Sequence, residues 1–170
     1  MDNKTPLRIT AKSIRKTLDM QSKSFRAVEL IKNLPEYLVA ENVLLYYPLK
    51  TEINLLNLLA DNKKFYLPKV YKDNLLICPF ANGDNLEKSS MNIYEPCSNP
   101  VNPEILDIIF VPALMADNDG YRLGYGGGFY DKFLAKYPEK FTVLPIAEEL
   151  CVEKLPREDF DIKVEKVLII

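Results

Sequence analysis

Histidine is missing altogether from the 170 residues, and this absence excludes more chemistry than any other feature of the composition. Without an imidazole there is no Ser-His or Cys-His nucleophile, no His-ligated zinc and no imidazole acid–base work. Any chemistry must rest on carboxylates, lysine, arginine, tyrosine and backbone dipoles. Cysteine is nearly as scarce. Cys78, Cys97 and Cys151 are odd in number and far apart, matching neither a disulfide framework nor zinc-ligand spacing. No apolar run reaches the roughly 18 residues of a membrane span. The opening stretch MDNKTPLRITAKSIRK lacks the apolar centre of a signal peptide, so a cytoplasmic protein outside the membrane is expected. Charge of one sign is lacking too: 22 basic and 24 acidic residues, well interspersed, give a net charge of −2. That leaves no broad basic face for nucleic acid, although a smaller basic pocket for phosphate stays open. A chain this long, with 48% hydrophobic residues, can bury one proper core, and a monomeric single domain over residues 1–170 is expected.

Glycine is the informative scarcity. The chain has only 6, and four of them fall within five positions, Gly124, Gly126, Gly127 and Gly128. Glycine is costly to order, so such a cluster needs a backbone reason: a tight turn, or close approach to a ligand.

The surrounding pattern gives the cluster a context. Residues Thr10 to Leu34 read as helix, in up to two pieces, with Phe25, Val28, Ile31 and Leu34 on one face and Pro35 at its end. Apolar runs predict strands near 43–47, 64–68, 107–111, 141–146 and 166–169, with a shorter one over Leu75–Cys78. Ile53–Leu59 reads as a helix with a buried face, and the polar excursion Ala81–Glu104 as a long loop with little regular structure. Phe129, Phe133, Leu134 and Tyr137 form one face of a further helix. Strands apolar on both faces that alternate with helices predict an α/β domain of three layers, α/β/α, around a mostly parallel sheet.

The glycines therefore lie between a buried strand and a helix start. Ligands of open parallel sheets sit outside the carboxyl ends of strands, and a helix N-terminus offers free N–H groups and partial positive charge. A sharp turn with tight packing would explain a lone glycine pair. Here Arg122 precedes the glycines, aromatic residues flank them and Asp131 follows, a combination that favours phosphate. Asp131 would repel phosphate unless a cation such as Mg²⁺ lay between them, the plainer alternative being a favourable interaction with the helix dipole.

The run Arg122-Leu123-Gly124-Tyr125-Gly126-Gly127-Gly128-Phe129-Tyr130-Asp131 closely resembles the signature of the 5-formyltetrahydrofolate cyclo-ligase family. Tyr46–Glu52 resembles that family's Y-x-P-x-x-x-E segment, Leu67–Val70 its L-P-x-V, Tyr94–Pro96 its E-P element, and Phe160-Asp161 its tail, in the same order. The resemblance implies an enzyme that uses ATP and Mg²⁺ to cyclise 5-formyltetrahydrofolate to 5,10-methenyltetrahydrofolate, releasing ADP and phosphate. ATP would phosphorylate the formyl oxygen, N10 would attack the activated carbon, and phosphate would depart. It further implies that Arg122, Leu123, Gly124, Tyr125, Gly126, Gly127, Gly128, Phe129 and Tyr130 cradle ATP, with Arg122 and Tyr130 catalytic. Lys12, Arg15 and Lys16 match an N-terminal basic element that reaches nucleotide phosphates. Tyr47, Glu52, Tyr94, Tyr125 and Phe129 would contact folate, and Asp131 and Asp161 would hold Mg²⁺. Two other classes stay open: a sugar-phosphate enzyme of similar fold, and a non-catalytic nucleotide- or folate-binding module.

Overall fold

The computed structural model describes residues 3–170. Helix α1 (Lys4–Arg15) starts earlier than the periodicity predicts, because Pro6 sits in its first turn, where a missing N–H breaks no helical bond. The chain then breaks, and Asp19 caps helix α2 (Met20–Lys32) by accepting a hydrogen bond from the Ser22 N–H at 3.1 Å. Short helix α3 (Pro35–Val39) leads into strands β1 (Asn42–Leu44), β2 (Lys64–Tyr71) and β3 (Asn74–Pro79). The expected helix at Ile53–Leu59 is instead a 3₁₀ segment, Leu56–Ala60. The expected long loop contains a hairpin, β4 (Leu86–Lys88) and β5 (Tyr94–Pro96). Its strands are too short and polar to leave a period-two signal. Strands β6 (Ile108–Phe110), β7 (Met115–Asp117) and β8 (Arg122–Leu123) precede helix α4 (Phe129–Lys136). Strands β9 (Phe141–Ile146), β10 (Cys151–Val152) and β11 (Lys166–Ile169) follow it.

The central sheet has the order β11-β9-β6-β1-β2-β3, parallel throughout except for the antiparallel edge pair β2–β3. Side chains of a strand alternate between faces, and here each face has its own core. Val43, Phe65, Leu67, Ile108, Phe110 and Val143 pack with α2 and α3. Leu44, Tyr66, Ile109, Leu144 and Ile146 pack with Ala11 of α1 and Phe133 and Leu134 of α4. That alternation makes the domain an α/β/α sandwich. The order also fixes where a ligand can bind. From β1 the chain moves to β2 on one side, and β6 returns to the other side of β1. The carboxyl ends of β1 and β6 therefore flank a topological switch point. None of the helices among the described residues is long and apolar enough to cross a membrane.

Candidate active site

Beyond the end of β1 the chain runs through Tyr46 and Tyr47 into a turn over Leu49–Glu52. The Glu52 N–H donates to the Leu49 carbonyl at 2.9 Å, and the Leu49 N–H donates back to Glu52 Oε2 at 2.8 Å. Glu52 is thereby locked with 6% of its surface exposed. A cleft of about 460 Å³ opens from it between α2 and residues 47–57. Tyr47, Phe25 and Leu56 supply apolar walls; Phe25, read as sharing a helical face with Val28, Ile31 and Leu34, is 56% exposed and lines the cleft. The core face of α2 is Ala27, Val28 and Ile31. Tyr94, carried by β5, packs against Tyr47 with ring centroids 5.2 Å apart and the rings tilted at 55°.

Beyond β6 the antiparallel pair β7–β8 delivers the glycine loop. Its turn is held by Asp117, which accepts from the N–H groups of Asp119, Tyr121 and Leu155 and from Arg157 at 3.0 Å. Burial alone would raise the Asp117 pKa, but these donors together hold it below the usual carboxylate value. The four loop glycines do different things. Gly126 and Gly128 have φ of +110° and +65°, which side chains resist. A Cβ on Gly127 would strike the Phe129 ring at 2.6 Å. At Gly124 and Gly128 a Cβ would meet nothing within 4 Å, so the loop presents bare backbone to open space. Gly128 is itself the N-cap of α4 and provides no side-chain cap, which leaves the first N–H groups of α4 for an anion.

Helix α1 lies against this loop. Arg8 Nε donates to the Gly124 carbonyl at 3.0 Å, and its guanidinium lies 3.7–3.9 Å from where a Gly126 Cβ would be. Lys4 pairs with Asp161 at 2.6 Å and with Glu158 at 3.0 Å. Of the predicted basic residues, Lys12 and Lys16 are exposed to solvent. Arg15 is buried, donating to the Ala113 carbonyl and, at 2.7 Å, to the Tyr125 hydroxyl. Sequence reading thus missed Lys4 and Arg8. Their i, i+4 spacing, with Arg15 seven residues on, marks a single helical face and was the available signal.

The two halves of the site meet at Tyr125. Its hydroxyl accepts from Arg15 and donates to Glu52 Oε1 at 2.6 Å, while Arg15 stands 3.6 Å from the same carboxylate oxygen. Burial, with Glu52 close by, pushes the Tyr125 pKa up, so the phenol stays protonated as a donor. Tyr130, the second residue of α4, carries a buried hydroxyl with no hydrogen-bond partner among the described residues. Burial and then Glu52 raise its pKa, with Arg122 opposing. Phe129 does not reach the cleft and packs against the core beside α4.

A sequence model of the 5-formyltetrahydrofolate cyclo-ligase family matches residues 3–170. The chain belongs to that family. Family membership makes it an enzyme, of the ligase class. It is 34% identical over 151 residues to the 5-formyltetrahydrofolate cyclo-ligase of Haemophilus influenzae, an alignment spanning 81% of this chain and 80% of that protein. The structure of 5,10-methenyltetrahydrofolate synthetase from Aquifex aeolicus superposes with a TM-score of 0.84 at 32% identity, covering 98% of this chain and 89% of the other. A synthetase from Mycoplasma pneumoniae, at 21% identity, shares the fold with a TM-score of 0.76 over 99% and 98% of the two chains.

The family implies a magnesium ion, so the fit of Asp131 and Asp161 matters. Asp131 Oδ1 accepts from Arg122 at 2.9 Å and from the Ile162 N–H at 3.0 Å, which brings the residue following Asp161 against it. Asp161 Oδ2 accepts from Lys4 and from the Glu158 N–H at 2.8 Å. The second oxygen of each carboxylate has no hydrogen bond among the described residues. Two such oxygens suit a cation that takes one or two carboxylates and completes its shell with water and phosphate. No larger group of three or more acidic or thiol ligands converges among the described residues. Arg122, expected to grip phosphate, instead donates to the Ile162 carbonyl and to Asp131, and burial pulls its pKa below the usual guanidinium value, with Asp131 opposing.

Proposed function

We propose that this cyclo-ligase converts 5-formyltetrahydrofolate to 5,10-methenyltetrahydrofolate with ATP as co-substrate and Mg²⁺, releasing ADP and phosphate. One observation carries the reading: the Tyr125 hydroxyl joins the bare glycine backbone to the buried Glu52 carboxylate at 2.6 Å, so a phosphate site and a cleft for a flat polar molecule abut. Glu52 accepts N–H donors of the pterin, and Tyr47 lines the ring beside it with Tyr94 behind. The N–H groups from Gly124 to Tyr130, with Arg8 and Lys4, face the triphosphate. The orphaned Tyr130 hydroxyl, which costs about 1–3 kcal/mol while unpaired, gains an acceptor in the oxygen between formyl carbon and phosphorus.

The chemistry needs no proton relay, in keeping with a chain that has no histidine. The formyl oxygen attacks the γ-phosphorus and ADP leaves; N10 then adds to the activated carbon and gives up its proton, and phosphate departs with that oxygen, taking the proton as hydrogen phosphate. The protein's part is to align the two substrates and to meet the developing charge with fixed dipoles. Asp131 and Asp161 would hold Mg²⁺, which neutralises phosphate charge when bound. Arg122 keeps Asp131 in position through the 2.9 Å bond to its Oδ1.

The test follows absorbance of the methenyl product in parallel with ADP release, with ATP, without ATP, and with Mg²⁺ chelated. The expected outcome is product and ADP in equal amounts, only when both ATP and Mg²⁺ are present. Folate binding without turnover would replace this reading with a non-catalytic module, and no folate binding at all would favour a different phosphate ester.

A further inference from the structure

The cleft beside Glu52 has a charge pattern that its apolar walls do not require. Of the residues lining it only two are charged, Glu52 and Lys50. They differ in surroundings: Glu52 is buried and hydrogen-bonded, while Lys50 is exposed and makes no ion pair or hydrogen bond among the described residues. Lys50 is also held in place. It occupies the tip of the Leu49–Glu52 turn, whose two ends are closed by the Glu52 backbone and side chain. The same carboxylate that would recognise one end of a ligand thus fixes the turn that presents the cation for the other end. Tyr47, Phe25 and Leu56, suited to an aromatic spacer, line the same cleft, as do the amides of Asn54 and Asn57.

We propose that Lys50 is the anion-recognising residue of the cleft and binds the carboxylate-bearing end of the folate, its glutamate or a chain of glutamates. A ligand complementary to this cleft has N–H donors at the buried end, an aromatic middle and a carboxylate at the open end. A free lysine at the mouth sets preference for that last feature: its flexible stem follows a carboxylate, and solvent screens it only in part. This assignment rests on the folate reading above and adds to it which residue selects for the acidic tail.

The test compares wild type, Lys50→Gln and Lys50→Glu, with Lys154→Gln, an exposed lysine outside the site, matching the charge lost in Lys50→Gln. Equilibrium binding of 5-formyltetrahydrofolate is measured without ATP, at low and high salt, with one glutamate and with several, alongside KM and kcat for both substrates. Lys50→Gln should weaken folate binding about two- to five-fold, the upper part of the range of an exposed, partly screened ion pair. The charge reversal should weaken it more. The losses should grow with the number of glutamates and shrink in salt, while kcat and the KM for ATP hold. An unchanged folate Kd in Lys50→Gln, or an equal loss in Lys154→Gln, overturns the assignment while leaving the folate reading intact. Failure of wild type to bind the folate overturns both.

Discussion

Tyr125 links the glycine loop to the cleft through a single hydroxyl. A phenol has a single hydrogen, and here it goes to Glu52 while Arg15 donates to the oxygen. Glu52 keeps its orientation independently, through the Leu49 N–H on its other oxygen. Removing the hydroxyl in Tyr125→Phe should therefore cost about 1 kcal/mol of stability, measured by urea unfolding, because Arg15 and Glu52 lose their common bridge. Folate binding in the absence of ATP should tighten, since one competing donor on Glu52 is gone. Weaker folate binding with unchanged stability would mean that the hydroxyl touches the ligand rather than competing with it. Asp131 makes the complementary case. In Asp131→Asn the Arg122 contact can persist through the amide oxygen, but the negative charge is lost. Turnover should fall by at least ten-fold at limiting Mg²⁺ while folate affinity holds; normal turnover there would remove the aspartate from the metal site.

At the scale of elements the question is what the glycines of the loop before α4 do. Gly124 separates two reasons for glycine that coincide at Gly128, since its φ is not positive and its missing Cβ faces open space. Gly124→Ala should leave the melting temperature within a degree or two, yet raise the KM for ATP several-fold if phosphate occupies that space. Gly126→Val adds backbone strain and should abolish ATP use with the fold largely kept. An unaltered ATP affinity in both would leave the loop as a turn and nothing more. The loop was legible in the sequence because it is continuous: strand, glycines and helix follow one another, and the local pattern carries its own chemistry. Four of the five longer predicted strands were legible because each has a core of apolar residues buried on both faces; the edge strand β11 was legible as an apolar run although it is only half-buried, with Ile169 exposed. Lys4 and Arg8 were not, because what makes them part of the site is the docking of α1 across the chain onto residues more than a hundred positions later. The cleft role of Phe25 was not legible, since helical spacing reports that a residue shares a face but not whether that face meets protein or a cleft. The hairpin β4–β5 was invisible because its pairing is carried by backbone bonds between short polar segments.

Across the whole molecule, the site depends on joints between segments far apart in sequence, and two of these joints are carboxylates. Asp107 accepts from the Glu41 and Asn42 N–H groups and so ties the start of β1 to the start of β6. Asp117 ties the β7–β8 turn to Leu155 and Arg157 of the C-terminal segment, from which Asp161 follows. Both carboxyls have pKa values below the ordinary range: burial pushes each upward, and the donors around them outweigh it. Because the folded carboxyl gives up its proton more readily than the unfolded one, the stability it contributes is fully present above about pH 4, the unfolded value, and is lost as acid titrates the folded group. Asp117→Asn should lose on the order of 2 kcal/mol at pH 7, since buried N–H groups and a guanidinium lose a charged acceptor. The same variant should lose less than wild type on going from pH 5 to pH 3, because the titrating group is absent. Urea denaturation at pH 7, 5 and 3 on both proteins separates the two effects. A wild-type-like slope in Asp117→Asn would move the acid sensitivity to Asp107, the joint between the starts of β1 and β6.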